Sequence, residues 1–378
     1  MLSLLVGEAL VRALVQRDGD GQEWILGKRL RPNRLALGRI EEKLAPLKQD
    51  EAFLRWDADL GWSPRPHARD AAGTAHIGAA GIRGERAVAP EPAPGVLRVA
   101  TFGDSFTFGD EVGDEETWAY FLERALAERG VAAEVLNFGV NAYGMDQAYL
   151  RWARDGRPYR PDVVVYGFQP ENLLRNTNLF RAFYFADTGT PLQKPRFVVR
   201  DDDLAVVGQP TTEPDDMVAA LAEIVQRPER HPLSAYDRSA APYADRWWLR
   251  SRLLALLVTV AAGDVADPYE LDDERREVAR RVLERFAREV AASGSAFVVV
   301  HLPRRGDLER IRAGSRLWYG DLLRELDERH RVVRPEGALL QVEGEPFAPK
   351  GHYGPDLNRV VGEALAGPVL EAARRRGA

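Results

Sequence analysis

The sequence predicts an α/β fold in which a central parallel sheet of about five strands carries helices on both faces. From residue 97 onward, short apolar runs alternate with longer helical patterns, which is typical of parallel strands joined by right-handed crossovers. The run at 161–166 is apolar almost throughout, as expected of a strand buried on both faces of a sheet. With 378 residues, 45% of them hydrophobic, the chain is long enough to bury a large core.

The elements of this sheet are predicted in chain order. Strands are expected at 97–102, 135–138, 161–166, 296–301 and 331–334. Helices are expected at 114–130, 145–154, 271–293, 322–329 and 355–375, with Asp114 as the N-cap of the first. The acidic residues that follow Asp114 favour a helix start there, because they complement the positive end of the helix dipole.

Two segments fall outside this alternation. Residues 1–96 form an N-terminal extension, with a first helix, a charged and mostly helical pattern at 17–55, and a proline-rich stretch before the first sheet strand. Residues 97–378 form the main domain, and an insertion at about 180–267 follows its third strand without a core signal of its own. We expect this insertion to lie over the functional site.

The apolar segment 2–15 leaves two alternatives open. Glu8 and Arg12 interrupt it, and it is shorter than the roughly 20 residues that a spanning helix needs. As an amphipathic helix packed on the body, it would fit a cytoplasmic protein. As the end of a membrane anchor, it would place the chain on a membrane, outside the cytoplasm of a bacterium.

Composition excludes several classes of function. The formal net charge of −6 argues against a protein that binds nucleic acid through a basic surface. Cysteine is absent, which excludes disulfides, thiolate metal sites and cysteine nucleophiles.

Polar side chains and glycines follow the predicted strands at the edge where an open α/β sheet binds its ligands. Ser105 is the candidate nucleophile, and His352, just before the last helix, is the candidate base. The N–H groups of Ser105 and Gly139 and the side-chain amide of Asn172 are the expected oxyanion donors. Candidate substrate-binding residues at the same edge are Asp104, Asn141, Arg175 and Arg304.

The block Gly103-Asp-Ser-Phe-Thr-Phe-Gly109, followed in order by Gly139, Asn172 and His352, resembles the signature blocks of the SGNH (GDSL-type) hydrolases. The resemblance runs from about residue 97 to the C-terminus, outside the insertion. It implies a flavodoxin-like three-layer α/β/α fold and a serine esterase, lipase or O-acyltransferase. The implied substrates are small-molecule or glycan esters, often acetyl groups on carbohydrate, with no metal and no organic cofactor.

The sequence departs from the family pattern at two places. Asn172 lies three residues beyond the usual position of the third-block asparagine, which Gln169 occupies. The aspartate that usually precedes the histidine is replaced by Pro349 and Lys350. Either His352 acts with Ser105 as a dyad, or a carboxylate from elsewhere orients it, with Asp307 and Asp356 as candidates. A third alternative is a catalytically weak carbohydrate-binding or assembly protein.

Overall fold

A computed structural model describes residues 2–209, 211–261 and 272–376. The described strands are β1 (Gln16–Arg17), β2 (Glu23–Ile25), β3 (Lys28–Arg29), β4 (Leu54–Asp57), β5 (Gly61–Pro64), β6 (Leu97–Phe102), β7 (Ala133–Asn137), β8 (Val163–Phe168), β9 (Arg196–Arg200), β10 (Asp203–Val207), β11 (Ala296–His301) and β12 (Arg331–Val333). The described helices are α1 (Leu2–Leu14), α2 (Leu37–Leu47), α3 (Ser105–Phe108), α4 (Trp118–Glu128), α5 (Met145–Arg151), α6 (Asn172–Arg175), α7 (Arg181–Tyr184), α8 (Met217–Gln226), α9 (Arg252–Ala261), α10 (Asp273–Ala292), α11 (Arg305–Arg312), α12 (Gly320–Arg329), α13 (Glu336–Leu339) and α14 (Pro355–Arg376).

The central sheet has five parallel strands in the order β12-β11-β8-β6-β7. The middle of the sheet is in register from Val135 through Val99 to Val163, so the apolar runs of three strands lie side by side. All five strands point the same way, and their carboxyl ends therefore meet at one edge. The predicted fold class is confirmed.

Helices cover both faces of the sheet. On one face α4 and α14 bury Leu122 and Leu365 against strand residues such as Val165. On the other face α5, α10 and α12 form an aromatic-rich layer in which Phe286 contacts Phe102. Because both faces are covered, the strands are apolar on both sides, as the run at 161–166 predicted.

The first crossover helix begins later than the sequence predicts. Asp114 does not cap it, since its carboxylate is held by His76 Nδ1 at 2.7 Å and Arg83 Nε at 2.9 Å. A short 3₁₀ turn covers Asp114–Glu116, and Thr117 then caps α4 by accepting a hydrogen bond from the N–H of Tyr120. The prediction at 17–55 was also wrong in part, because only α2 is helical there and β1 to β3 form a small antiparallel sheet.

The N-terminal extension and the insertion share a hydrophobic core. Ile40 and Leu44 of α2 pack with Met217 and Leu221 of α8, and the fully buried Trp62 of β5 belongs to the same cluster. This packing places both segments beside the carboxyl edge of the sheet. The end of the predicted insertion, residues 262–267, lies outside the described residues.

Helix α1 packs on α9 by one face only. Val11 is buried in this contact, and the side chain of Leu253 lies over Gly7. The opposite face leaves leucines exposed, among them Leu4 and Leu10. Within the part of the chain that the structure describes, no helix has the length and apolar character needed to cross a membrane.

Candidate active site

Ser105 lies at the turn where β6 ends and α3 begins. The preceding residue, Asp104, caps α3, because its Oδ1 accepts a hydrogen bond of 3.0 Å from the N–H of Phe106. Asp104 is fully buried, and burial raises the pKa of its carboxyl, although the nearby Arg175 opposes this shift. The candidate substrate contact Asp104 is therefore built into the support of the serine turn.

Ser105, His352 and Glu111 form a hydrogen-bonded chain. Ser105 Oγ lies 2.9 Å from His352 Nε2, and His352 Nδ1 lies 2.7 Å from Glu111 Oε2. An ionised carboxylate can only accept, so Nδ1 carries the proton and Nε2 is free to accept from the serine hydroxyl. The structure thus brings the predicted nucleophile and base together and adds a carboxylate that the sequence analysis missed.

Glu111 is held by backbone N–H groups in addition to the histidine ring. Its carboxylate also accepts from the backbone N–H of Lys350 at 2.8 Å and from that of His352 at 3.3 Å. Burial alone would raise the pKa of Glu111, but these N–H groups and the imidazole outweigh it and lower the pKa below its usual 4.5. Lys350, found where an aspartate was expected, orients the carboxylate through its backbone.

Neither aspartate proposed as the orienting acid contacts His352. Asp307 accepts a hydrogen bond of 3.0 Å from the N–H of Arg304 at the start of α11. Asp356 is exposed on α14, with its nearest cation Arg359 3.4 Å away. Glu111 replaces both candidates, because the short helix α3 ends at Gly109 and the chain then turns back toward the histidine.

A sequence signal for Glu111 did exist. Two acidic residues, Asp110 and Glu111, follow the serine block directly, in a turn too short to be a helix. Asp110 Oδ2 also lies 3.9 Å from His352 Nε2, so carboxylates stand on both sides of the imidazole.

Gly139 does not present its N–H to the site. That N–H donates to Asn137 Oδ1 at 2.9 Å. A Cβ at Gly139 would lie 2.3 Å from the backbone nitrogen of Phe108, so the residue packs directly against α3. Its lack of a side chain allows the serine turn to approach β7, which is a different role from the expected oxyanion donor.

Asn172 is buried behind the site rather than in its wall. It is 1% exposed, and its side-chain amide lies beside the buried hydroxyl of Tyr166. The residues that line the cavity at this strand end are Gln169 and Glu171. Glu171 accepts from Tyr184 Oη at 2.6 Å and Arg304 Nη1 at 2.9 Å, and it lies 3.4 Å from Arg175 Nη2.

Three consecutive carbonyl groups of the loop after β7 are fixed by hydrogen bonds. The carbonyl oxygen of Asn141 accepts from Trp62 Nε1 at 3.0 Å, that of Ala142 from Arg181 Nη1 at 3.4 Å, and that of Tyr143 from Arg175 Nη1 at 2.6 Å. Ala142 has φ of +70°, a conformation that costs a non-glycine residue about 1–2 kcal/mol. The loop is therefore held in one strained arrangement beside the serine.

These residues border one cavity of about 1120 Å³ at the carboxyl edge of the sheet. Ser105, His352 and Asn141 line one side, while the N-terminal extension contributes residues 52–54 and the insertion contributes residues 187–190. The predicted binding residues Arg175 and Arg304 line it as well. The extension and the insertion therefore shape access to the serine.

The chain was compared with protein families, with curated proteins and with solved structures. No protein-family model and no curated protein sequence matches the chain. Among solved structures, it is similar to an acetyl xylan esterase, AlAXEase, at 13% identity and a TM-score of 0.39, covering 72% of this chain and 100% of the other. It is also similar to a lipase/acylhydrolase from Enterococcus faecalis, at 15% identity and a TM-score of 0.37, covering 74% of this chain and 96% of the other. A third similar structure is a protein from Desulfitobacterium hafniense DCB-2 that is described as lipolytic and of the G-D-S-L family. Its identity is 13% and its TM-score 0.35, covering 72% of this chain and 98% of the other.

Proposed function

We propose that the chain is a serine esterase in which Ser105, His352 and Glu111 form the catalytic triad. The observation that carries the proposal is the continuous hydrogen-bonded chain from Glu111 through His352 to Ser105 in the wall of a cavity. A serine hydroxyl is a weak nucleophile until a base is positioned to take its proton, and this arrangement supplies that base.

The chemistry follows from the positions of the protons. As Ser105 Oγ attacks the ester carbonyl, its proton passes to His352 Nε2, and Glu111 stabilises the imidazolium through Nδ1. His352 then gives the proton to the leaving alcohol as the C–O bond breaks. Water then attacks the acyl carbonyl while His352 takes its proton, and the bond to Ser105 Oγ breaks as His352 returns that proton to Oγ and the acid leaves.

The oxyanion donors are proposed to be the N–H groups of Ser105 and Ala142. The peptide bond is planar and trans, so the N–H of Ala142 points away from the Asn141 carbonyl that Trp62 holds. The neighbouring N–H of Tyr143 is engaged by the carbonyl of Val140 at 3.2 Å. Trp62 and Arg181 are then positioning residues, since they orient this loop through its carbonyl oxygens.

The natural substrate is proposed to be a short acyl ester, such as an acetyl group, on a carbohydrate, as the sequence resemblance implies. Transfer of the acyl group to a sugar hydroxyl would use the same residues, with the hydroxyl in place of water. Membrane association through residues 2–15 is also a proposal, supported by the leucines that α1 leaves exposed.

A fluorophosphonate probe tests the proposal, because it reacts covalently only with an activated serine. We expect the wild-type protein to be labelled and the Ser105→Ala and His352→Ala variants to remain unlabelled. Absence of labelling between about pH 7.5 and about pH 9, where a free imidazole is mostly neutral, would favour the non-catalytic binding protein. A second experiment separates ester hydrolysis from acyl transfer to a sugar. Release of p-nitrophenol from p-nitrophenyl acetate is measured with and without added glycan, and faster release together with an acylated glycan identifies a transferase.

A further inference from the structure

Arg181, at the start of the insertion, is a buried guanidinium in the wall of the cavity that holds Ser105. It is 8% exposed, and its Nε donates to Thr188 Oγ1 at 2.9 Å. Its Nη1 donates to the carbonyl of Ala142 at 3.4 Å, and the guanidinium lies 5.9 Å from the ring centre of Tyr184. A guanidinium has five N–H donors, so most of its hydrogen-bonding capacity is unused by these two neutral acceptors.

Carboxylates stand near Arg181, but they are engaged by other cations. Glu171 is bonded to Arg304 and lies beside Arg175, and these arginines contribute to lowering its pKa to about 2 against the effect of burial. Asp104 Oδ2 lies 3.5 Å from Arg175 Nη1. No carboxylate in the described part of the chain lies within 4.0 Å of Arg181.

The charges of the cluster are unevenly paired. Arg175 lies beside Asp104 and Glu171, and Arg304 lies beside Glu171 and 4.0 Å from Asp307, whereas Arg181 has no carboxylate within 4.0 Å among the described residues. Burial and the neighbouring Arg175 lower the pKa of Arg181 to about 9, so the group stays mostly protonated at neutral pH. A buried charge that no nearby carboxylate balances is costly, and an anion bound beside it would reduce that cost.

We propose that Arg181 binds a negatively charged oxyanion group, a carboxylate or a phosphate, on the ester substrate of this site. Its fork of N–H groups matches two oxygens of such a group, and its bonds to Thr188 and Ala142 hold the fork in place before the ligand arrives. Arg181 and Ser105 line the same cavity, so one substrate can reach both. This inference rests on the proposed esterase function, because it assigns the substrate class of that site.

Three acetyl esters test the inference: meta-acetoxybenzoate, its uncharged methyl ester, and meta-acetoxyphenyl phosphate. We expect wild-type kcat/KM to favour at least one charged ester over the methyl ester by about 10- to 100-fold, the factor typical of a charge-assisted pair. The charged ester with the higher kcat/KM relative to the methyl ester shows whether the site is selective for a carboxylate or for a phosphate. Equal rates for all three esters would overturn the inference while leaving the esterase intact.

Variants assign the preference to Arg181 rather than to the general charge of the cavity. Arg181→Gln should bring the ratio of charged to uncharged kcat/KM close to one, and Arg181→Lys should retain part of it. Arg310→Gln, an exposed arginine at the same cavity, is the matched control and should keep the wild-type ratio. The ratio is the readout because Arg181 also holds the Ala142 loop, so its loss can slow all three esters together. A wild-type ratio in Arg181→Gln would contradict the inference.

Direct binding separates failure of this inference from failure of the esterase proposal. Titration calorimetry of meta-hydroxybenzoate and phenyl phosphate against Ser105→Ala protein needs no turnover. Binding that weakens about tenfold or more in the Ser105→Ala, Arg181→Gln double variant supports the anion site even if no ester is hydrolysed. Equal affinity, or no binding by either protein, contradicts it. Labelling of the Arg181→Gln variant by the fluorophosphonate probe verifies that its active site is folded.

Discussion

The carboxylate of Glu111 lies 2.7 Å from Nδ1 of His352, although the two residues are 241 positions apart in the chain. The same carboxylate binds the backbone N–H groups of Lys350 and His352, so it fixes both the ring and the loop that carries it. The proposed orienting acid thus comes from the loop that follows the proposed nucleophile, while the proposed base comes from the far end of the chain.

Removal of the Glu111 charge should impair catalysis more than binding. We expect Glu111→Gln to lower kcat for p-nitrophenyl acetate by about 100- to 10,000-fold with a small change in KM, because the amide no longer stabilises the imidazolium. The matched control is Asp356→Asn, the exposed candidate on α14, which should stay near wild type. A Glu111→Gln enzyme with wild-type kcat would indicate a Ser105–His352 dyad.

Glu111 should also make stability depend on pH. Its pKa is lower in the folded protein than its ordinary 4.5, so the ionised group stabilises the fold above about pH 4.5. This contribution is lost as the pH falls through the lower folded-state pKa. Urea unfolding of wild type and Glu111→Gln between pH 7 and 3 should therefore give a difference in unfolding free energy that shrinks toward low pH. A difference independent of pH would count against this assignment.

The amide of Asn172 is expected to be dispensable for the reaction. Asn172→Leu has a similar volume and removes a buried amide that does not line the cavity, so we expect kcat to change by less than about threefold. Loss of an oxyanion donor would instead cost about 100- to 1000-fold in kcat. A loss of that size, measured with p-nitrophenyl acetate, would restore the role that the sequence suggested for Asn172.

Trp62 should influence the reaction through the loop that it holds. Trp62→Phe removes the hydrogen bond to the Asn141 carbonyl, and we expect kcat to fall by about tenfold or more with little change in KM. Because Trp62 is fully buried, the substitution also costs stability, so unfolding is measured in parallel. Affinity for a phosphonate transition-state analogue should fall in proportion to kcat, which a purely structural defect would not produce.

A side chain at Gly139 should destabilise the serine turn. The Cβ of Gly139→Ala would meet the Phe108 backbone nitrogen at 2.3 Å, and such overpacking typically costs about 1–3 kcal/mol. The midpoint of urea unfolding should fall accordingly. Gly337→Ala in α13 is the matched control, since its Cβ would meet nothing within 4 Å. Equal midpoints for the two variants would contradict the close packing at Gly139.

The alternation of apolar strands and helices was sufficient to predict the layers, the parallel sheet and the edge where polar residues collect. That prediction held because a strand buried on both faces has a pattern that few other structures share, as the run at 161–166 illustrates. The order of the blocks likewise identified Ser105 and His352 before their 2.9 Å contact was known.

Only the tertiary structure decided which carboxylate contacts His352 and which residues line the cavity. The position of Glu111 depends on a turn with positive φ that brings it to Lys350 and His352, contacts that leave no periodic signal in the sequence. After β8, Gln169 and Glu171 line the cavity, whereas Asn172, the first residue of α6, is buried away from it. Sequence pattern determines which face of an element is buried, whereas the direction of a loop side chain is set by the hydrogen bonds that the folded chain happens to bring to it.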